Sequence, residues 1–234
     1  MILLGDLETN GLELDENTRI HCIVLKDWET KEVWKYGPQD LENAYVALME
    51  ADRIIFHNFI GFDWRVLLFF FHDFNPKSYD DTLILSRLFY PYKRGGHSIE
   101  NYGEECGIPK PVHEDWSTFS PEMLHRCVQD VHILDYVYSK LMKQRLKGGA
   151  NWEEAIKLEY EVARIHHHIQ VPTGITFDVD KAAQLRDTID MAMSSLEIEM
   201  RKVLPLHTVK GSTIKKVFKK NGDYQKYVRD YIGG

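Results

Sequence analysis

The sequence predicts an α/β protein: a mixed sheet flanked by helices, followed by a helical C-terminal extension. Two observations carry that prediction. Short apolar runs of strand length alternate with segments of helical period over residues 1–148. Beyond the Gly148-Gly149 pair the pattern becomes mostly helical, which sets an expected boundary between domains at 1–148 and 149–234.

The elements follow in order. Residues 2–7 are an apolar run that reads as a buried strand, and 21–26 and 32–36 read as two more. Asp15-Glu16-Asn17 and Glu29-Thr30-Lys31 separate them, which favours an antiparallel meander. Leu41, Ala44, Val46 and Leu48 have helical spacing over 41–51, and 53–57 is a further buried strand. Residues 64–71 are apolar almost all round, so that helix is expected to be largely buried. Asp81 is placed to cap a helix over 82–90, and Ser98 to cap one that Gly103 or Gly107 ends. Ser120 followed by Pro121 marks the start of a long helix to about residue 146. Residues 152–170 read as helical, 171–178 as extended or hairpin-like, and Asp178 or Asp180 as the cap of a helix ending near Leu204. A short basic helix at 212–220 and an Asn221-Gly222 turn close the chain.

With 44% apolar and 12% aromatic residues, the 234-residue chain has the material for a core, which argues against disorder. The formal net charge of −7 argues against a generic basic nucleic-acid coat. That charge is uneven. From Pro205 onward seven basic residues oppose two acidic ones, a local charge of +5. Three cysteines without a CxxC spacing argue against a disulfide scaffold and a zinc ribbon. Asp6 and Glu8 interrupt the only N-terminal apolar run, and no run reaches the ~18 residues of a membrane helix. A cytoplasmic protein without a membrane partner is expected.

The chemistry begins at Asp6-Leu7-Glu8. On a strand, residues two apart share a face, so two carboxylates emerge together from an apolar run. Buried like charges are costly unless a cation compensates them. A second polar element, His57-Asn58-Phe59-Ile60-Gly61-Phe62-Asp63, follows an apolar strand, where open α/β sheets place their sites. A third lies inside an apolar helix, where His125 and Asp130 sit five apart, ~140° around the axis. Each alone has a plain structural reading: solvated acids, a helix cap, a solvated face. Together they offer four carboxylates and an imidazole. Carboxylates suit hard Mg²⁺, with Mn²⁺ as substitute. Two such ions can clamp a phosphoryl displacement, and a nearby His can accept a water's proton.

The order DxE, HNxxxFD, HxxxxD resembles the three exonuclease motifs of the DEDD 3′–5′ exonuclease superfamily. It is most similar to the proofreading domain of bacteriophage family A DNA polymerases. Residues 79–88 (YDDTLILSRL), Gly96-His97-Ser98-Ile99 with Tyr102-Gly103, and 115–124 (DWSTFSPEML) resemble connecting segments of that group. The resemblance covers residues 1 to about 146. It implies a ribonuclease H-like sheet, with Asp6, Glu8, Asp63 and Asp130 holding two divalent cations. It also implies that Thr9 and Asn58 lie near the 3′-terminal nucleotide. That branch usually has Tyr four residues before the last Asp; here the position is Arg126. His125, five before, is the expected general base, with Arg126 as the alternative.

Phe59 and Phe62 are the best candidates for stacking on bases, while Trp64 and Tyr102 are expected to pack. His97 and Asp81 are expected to be structural. His166-His167-His168 cannot share one ion, because adjacent helical residues point in different directions. Residues 170–178 (QVPTGITFD) resemble the opening of the polymerase part of family A enzymes. The resemblance thus implies either a fragment or a polymerase divided between genes, and a basic segment able to grip duplex phosphates. The expected activity is a metal-dependent 3′–5′ exonuclease on single-stranded DNA ends, releasing mononucleotides. It would proofread beside a DNA polymerase in the infected bacterial cell. An RNA-trimming exoribonuclease and a non-catalytic polymerase-docking module are the alternatives.

Overall fold

The computed structural model describes residues 1–108, 111, 113–148 and 151–204. The basic helix and turn expected within 205–234 lie outside the described residues. The chain divides into two units, Met1–Ile175 and a second from Thr176 onward.

The first unit is built on a five-stranded sheet: β1 (Ile2–Thr9), β2 (Ile20–Asp27), β3 (Val33–Tyr36), β4 (Arg53–Phe56) and β5 (Tyr79–Asp81). The strand order is β3-β2-β1-β4-β5. β1, β2 and β3 form the predicted antiparallel meander, while β4 pairs with β1 and β5 with β4 in parallel. The sheet is therefore mixed, and its flanking helices make the ribonuclease H-like architecture that the motifs imply. β5 has no counterpart among the expected strands. It is three residues long and reads Tyr-Asp-Asp, so it carries no apolar alternation to detect.

Parity along β1 decides what faces what. Leu3 and Leu7 join one core cluster, with α1 (Leu41–Glu50) and α2 (Asp63–Phe70) on that side. Leu4 joins the other, against Cys127, Val131, Leu134 and Tyr138 of α5 (Pro121–Gly148). Asp6 and Glu8 are two and four residues beyond Leu4, so the pleat turns both toward the α5 side. Gly5 faces the opposite way, where a Cβ would meet the Phe56 ring at 2.3 Å. Only glycine lets that ring lie against β1.

The caps behave as the sequence predicts. Asp81 accepts hydrogen bonds from the Leu83 and Ile84 amides at the start of α3 (Thr82–Phe89). Ser98 caps α4 (Ile99–Cys106), and Gly107, in the left-handed region at φ 75°, ends it. The Ser120 hydroxyl accepts from the Met123 amide at 3.1 Å and opens α5. Two expectations need correction. α2 is not largely buried: Leu68 and Phe69 lie on its open face, 37% and 41% exposed, because only one side meets the sheet. Residues 171–178, expected to be extended or hairpin-like, begin with a helical turn at 171–173, and only 174–178 lie outside any helix. α6 (Asn151–Ile165) passes through a π-helical turn at His166–Gln170 into a single turn, α7 (Val171–Thr173), which Gly174 ends at φ 68°.

α6 belongs to the first unit and is pinned through Asp80 on β5. That buried carboxylate pairs with Arg53 at 3.2 Å and Arg145 at 3.5 Å. It also accepts hydrogen bonds from Tyr138 at 2.9 Å and Tyr160 at 3.1 Å. In the second unit, Asp178 caps α8 (Val179–Val203), accepting from the Lys181 amide at 2.9 Å. Among the described residues no helix is long and apolar enough to cross a membrane.

Candidate active site

Three acids converge where β1 meets α5. Carboxylate oxygens of Asp6, Glu8 and Asp130 all lie within 4.8 Å of one another. Asp6 and Glu8 arrive side by side from β1, and Asp130 faces them from the buried side of α5. A β-bulge between Glu8 and Thr9 shifts the register there. The Cys127 thiol donates to Asp6 O at 3.4 Å and ties α5 to β1 beside the acids.

Asp63 is the first residue of α2 and is 3% exposed. Burial pushes its carboxyl well above the usual range, and the like charge of Asp6 pushes it further. The fourth acid thus feels the cluster electrostatically, although the convergent group comprises only the other three. Hard oxygen donors at this spacing, with charges that oppose one another, fit a divalent cation.

The loop before Asp63 is organised by Asp81. Beyond capping α3, its carboxylate accepts from the Asn58 amide at 3.1 Å and the Ile60 amide at 3.0 Å. Asn58 sits at φ 66°, a left-handed conformation that Asn tolerates better than most residues. Burial pushes Asp81 up to about 6, against the downward pull of the four amides. This double use of one carboxylate was missed by sequence reasoning, which saw a helix cap alone. No local pattern signals the contact from residue 81 back to 58–60.

Thr9 is buried, and its hydroxyl donates to Gly11 O at 2.6 Å. Phe59 needs correction as a base-stacking residue. It is fully buried, with its ring 5.3 Å from Trp64 and from Phe56, so it presents no face to a ligand. Phe62 is half-buried and packs against the same core. His97 is structural, 2.6 Å from the Ser86 hydroxyl. The histidine triplet diverges: His166 reaches Gln170 at 3.2 Å, and His168 lies 3.1 Å from Ile60 O.

His125 is exposed on α5, while its neighbour Arg126 turns inward, with Nε 3.8 Å from Glu8 Oε1. The reason is helical phase. Arg126 is four residues before Asp130 and shares its face, whereas one more residue rotates by ~100°. The guanidinium also donates to Pro111 O and lies 5.3 Å from the Trp116 ring.

No protein-family model matches the chain. Among solved structures, Brucella melitensis NrnC with bound Mg²⁺ superposes with a TM-score of 0.57 at 19% identity, over 76% of this chain and 89% of that one. Escherichia coli RNase D, an exoribonuclease involved in structured RNA processing, gives 0.54 at 18%, over 70% of this chain and 45% of that one. These likenesses show the fold: a ribonuclease H-like mixed sheet flanked by helices. In sequence, the DNA-directed DNA polymerase of Escherichia phage T7 is 28% identical over 62% of this chain. The chain spans 27% of that polymerase's length. The shared fold and the sequence likeness are those that the order of the motifs implies.

Proposed function

We propose that this chain is a divalent-metal-dependent 3′–5′ exonuclease that trims single-stranded DNA ends for a phage-type DNA polymerase. The observation that carries the reading is the convergence of Asp6, Glu8 and Asp130 within 4.8 Å, between the central strand β1 and α5, with Asp63 close enough to feel the charge of Asp6. Asp6, Glu8, Asp63 and Asp130 would hold the cations, two in the full site. Bound there, the cations would activate a water and stabilise the leaving oxygen of a phosphodiester.

The chain's own residues supply the rest. The β1 pleat fixes Asp6 and Glu8 on one face, and α5 fixes Asp130 opposite them. Asp81 holds the loop carrying Asn58 in one conformation, so a terminal nucleotide would meet a formed pocket wall. Arg126 has no acceptor atom and cannot serve as general base. The likeness to a phage DNA polymerase favours DNA as substrate and a polymerase as partner. The Mg²⁺ bound by the fold neighbour NrnC agrees with metal dependence. A polymerase-like extension toward the C-terminal end of the chain belongs to the same proposal.

The test is parallel digestion of matched DNA and RNA oligonucleotides, each labelled once at the 5′ end and once at the 3′ end. A ladder shortening from the 3′ end, faster on DNA, is expected. Faster trimming of RNA would replace DNA by RNA, and shortening from the 5′ end would end the reading.

A further inference from the structure

We propose that Arg126 is a positioning residue that acts through Glu8: it is an internal counter-cation that sets how tightly the acid cluster takes up divalent cations. The inference rests on the metal-dependent reading above. Arg126 is held beside Glu8 from three sides. Its Nε lies 3.8 Å from Glu8 Oε1, its guanidinium donates to Pro111 O, and the Trp116 ring is 5.3 Å away. Trp116 is itself anchored, with its carbonyl oxygen 3.0 Å from His21 Nε2 on β2. The side chain is only 19% exposed.

The pairing is one of charge and not of hydrogen bonding. Arg126 Nε is buried and has no hydrogen-bond partner, and 3.8 Å is beyond hydrogen-bond reach. Arg126 therefore steadies Glu8 by its charge and not by a hydrogen bond from Nε. A guanidinium stays charged at every pH at which the protein folds. Its contribution to the site is thus a fixed positive charge among Asp6, Glu8 and Asp130. Without ions, that charge offsets carboxylate repulsion. With ions, it opposes each cation that approaches Glu8, and the Coulomb term at this range and low exposure exceeds the small gain from steadying one side chain.

The experiment is a Mn²⁺ titration of the full chain, followed by electron paramagnetic resonance of the free ion. Arg126→Gln is expected to bind Mn²⁺ about tenfold more tightly than the unsubstituted chain, from loss of one nearby charge. Arg126→Lys keeps the charge and is expected to stay within about threefold. A purely structural role would weaken binding in both variants. Arg126→Met is a second neutral variant with the same expectation, should Arg126→Gln not fold. Affinity in the neutral variants equal to or below that of the unsubstituted chain overturns the inference, as does an equal shift in Arg126→Lys. An unsubstituted chain that binds no Mn²⁺ overturns both this inference and the metal-dependent reading. Normal Mn²⁺ binding without the shift overturns this inference alone.

Discussion

Asp63 carries the cost of the site most visibly. Burial and the neighbouring Asp6 both disfavour its charged form, so the folded chain binds a proton there more readily than the unfolded chain does. By linkage, stability from this group is present below the unfolded carboxylate value of ~3.9 and is lost as pH rises through the higher folded value. In chelator, urea midpoints should therefore fall as pH rises from acid toward neutral. Asp63→Asn should flatten that slope, and Mg²⁺ should restore more stability in the unsubstituted chain than in that variant. An identical slope in Asp63→Asn would remove like-charge strain as its cause. At this scale the sequence was legible where period alone decides: DxE on a strand puts two acids on one face. Phe59 was misread because a polar-looking loop hid a ring that turns into the core. Helical phase separates His125 and Arg126: Arg126, four before Asp130, shares its face, and His125 is turned to solvent. His125→Gln should accordingly leave the pH–rate profile unchanged; loss of an acidic limb would return His125 to the site.

Among elements, the Asp81 carboxylate joins the loop at 57–62 to α3, and β5 to both. Removing it uncaps the helix and leaves buried amides of Asn58 and Ile60 without their acceptor. A lost cap costs about 1 kcal/mol and each buried unsatisfied donor about 1–3. Asp81→Ala should lower stability by at least about 3 kcal/mol in denaturant titration, whereas a change below about 0.5 would mean that water replaces the carboxylate at no cost. Gly5→Ala should also destabilise, because its Cβ would stand 2.3 Å from the Phe56 ring, and a rigid core ring has little room to withdraw. Helices with capping residues were legible in the sequence, since caps are local chemistry. β5 was not, because its pairing with β4 is long-range and its residues are polar. The π-helical turn was not, because nothing in His166–Gln170 departs from helical composition.

For the whole molecule, net charge and site chemistry pull in opposite directions. The chain is acidic at −7, and the acids of the site contribute to that. Without cations the site repels a phosphodiester; with them it attracts one. Affinity for single-stranded DNA should therefore rise several-fold on adding Ca²⁺ in place of chelator, measured by fluorescence anisotropy with salt held constant. The most direct test is release of nucleotides from a 3′-labelled single strand, run with Mg²⁺, with EDTA, and with Asp130→Asn. Stepwise loss from the 3′ end with Mg²⁺ only is expected, with at least a hundredfold drop in Asp130→Asn at unchanged circular dichroism. A strand left intact by the unsubstituted chain in Mg²⁺ and Mn²⁺, or trimmed equally by Asp130→Asn, would contradict the exonuclease reading.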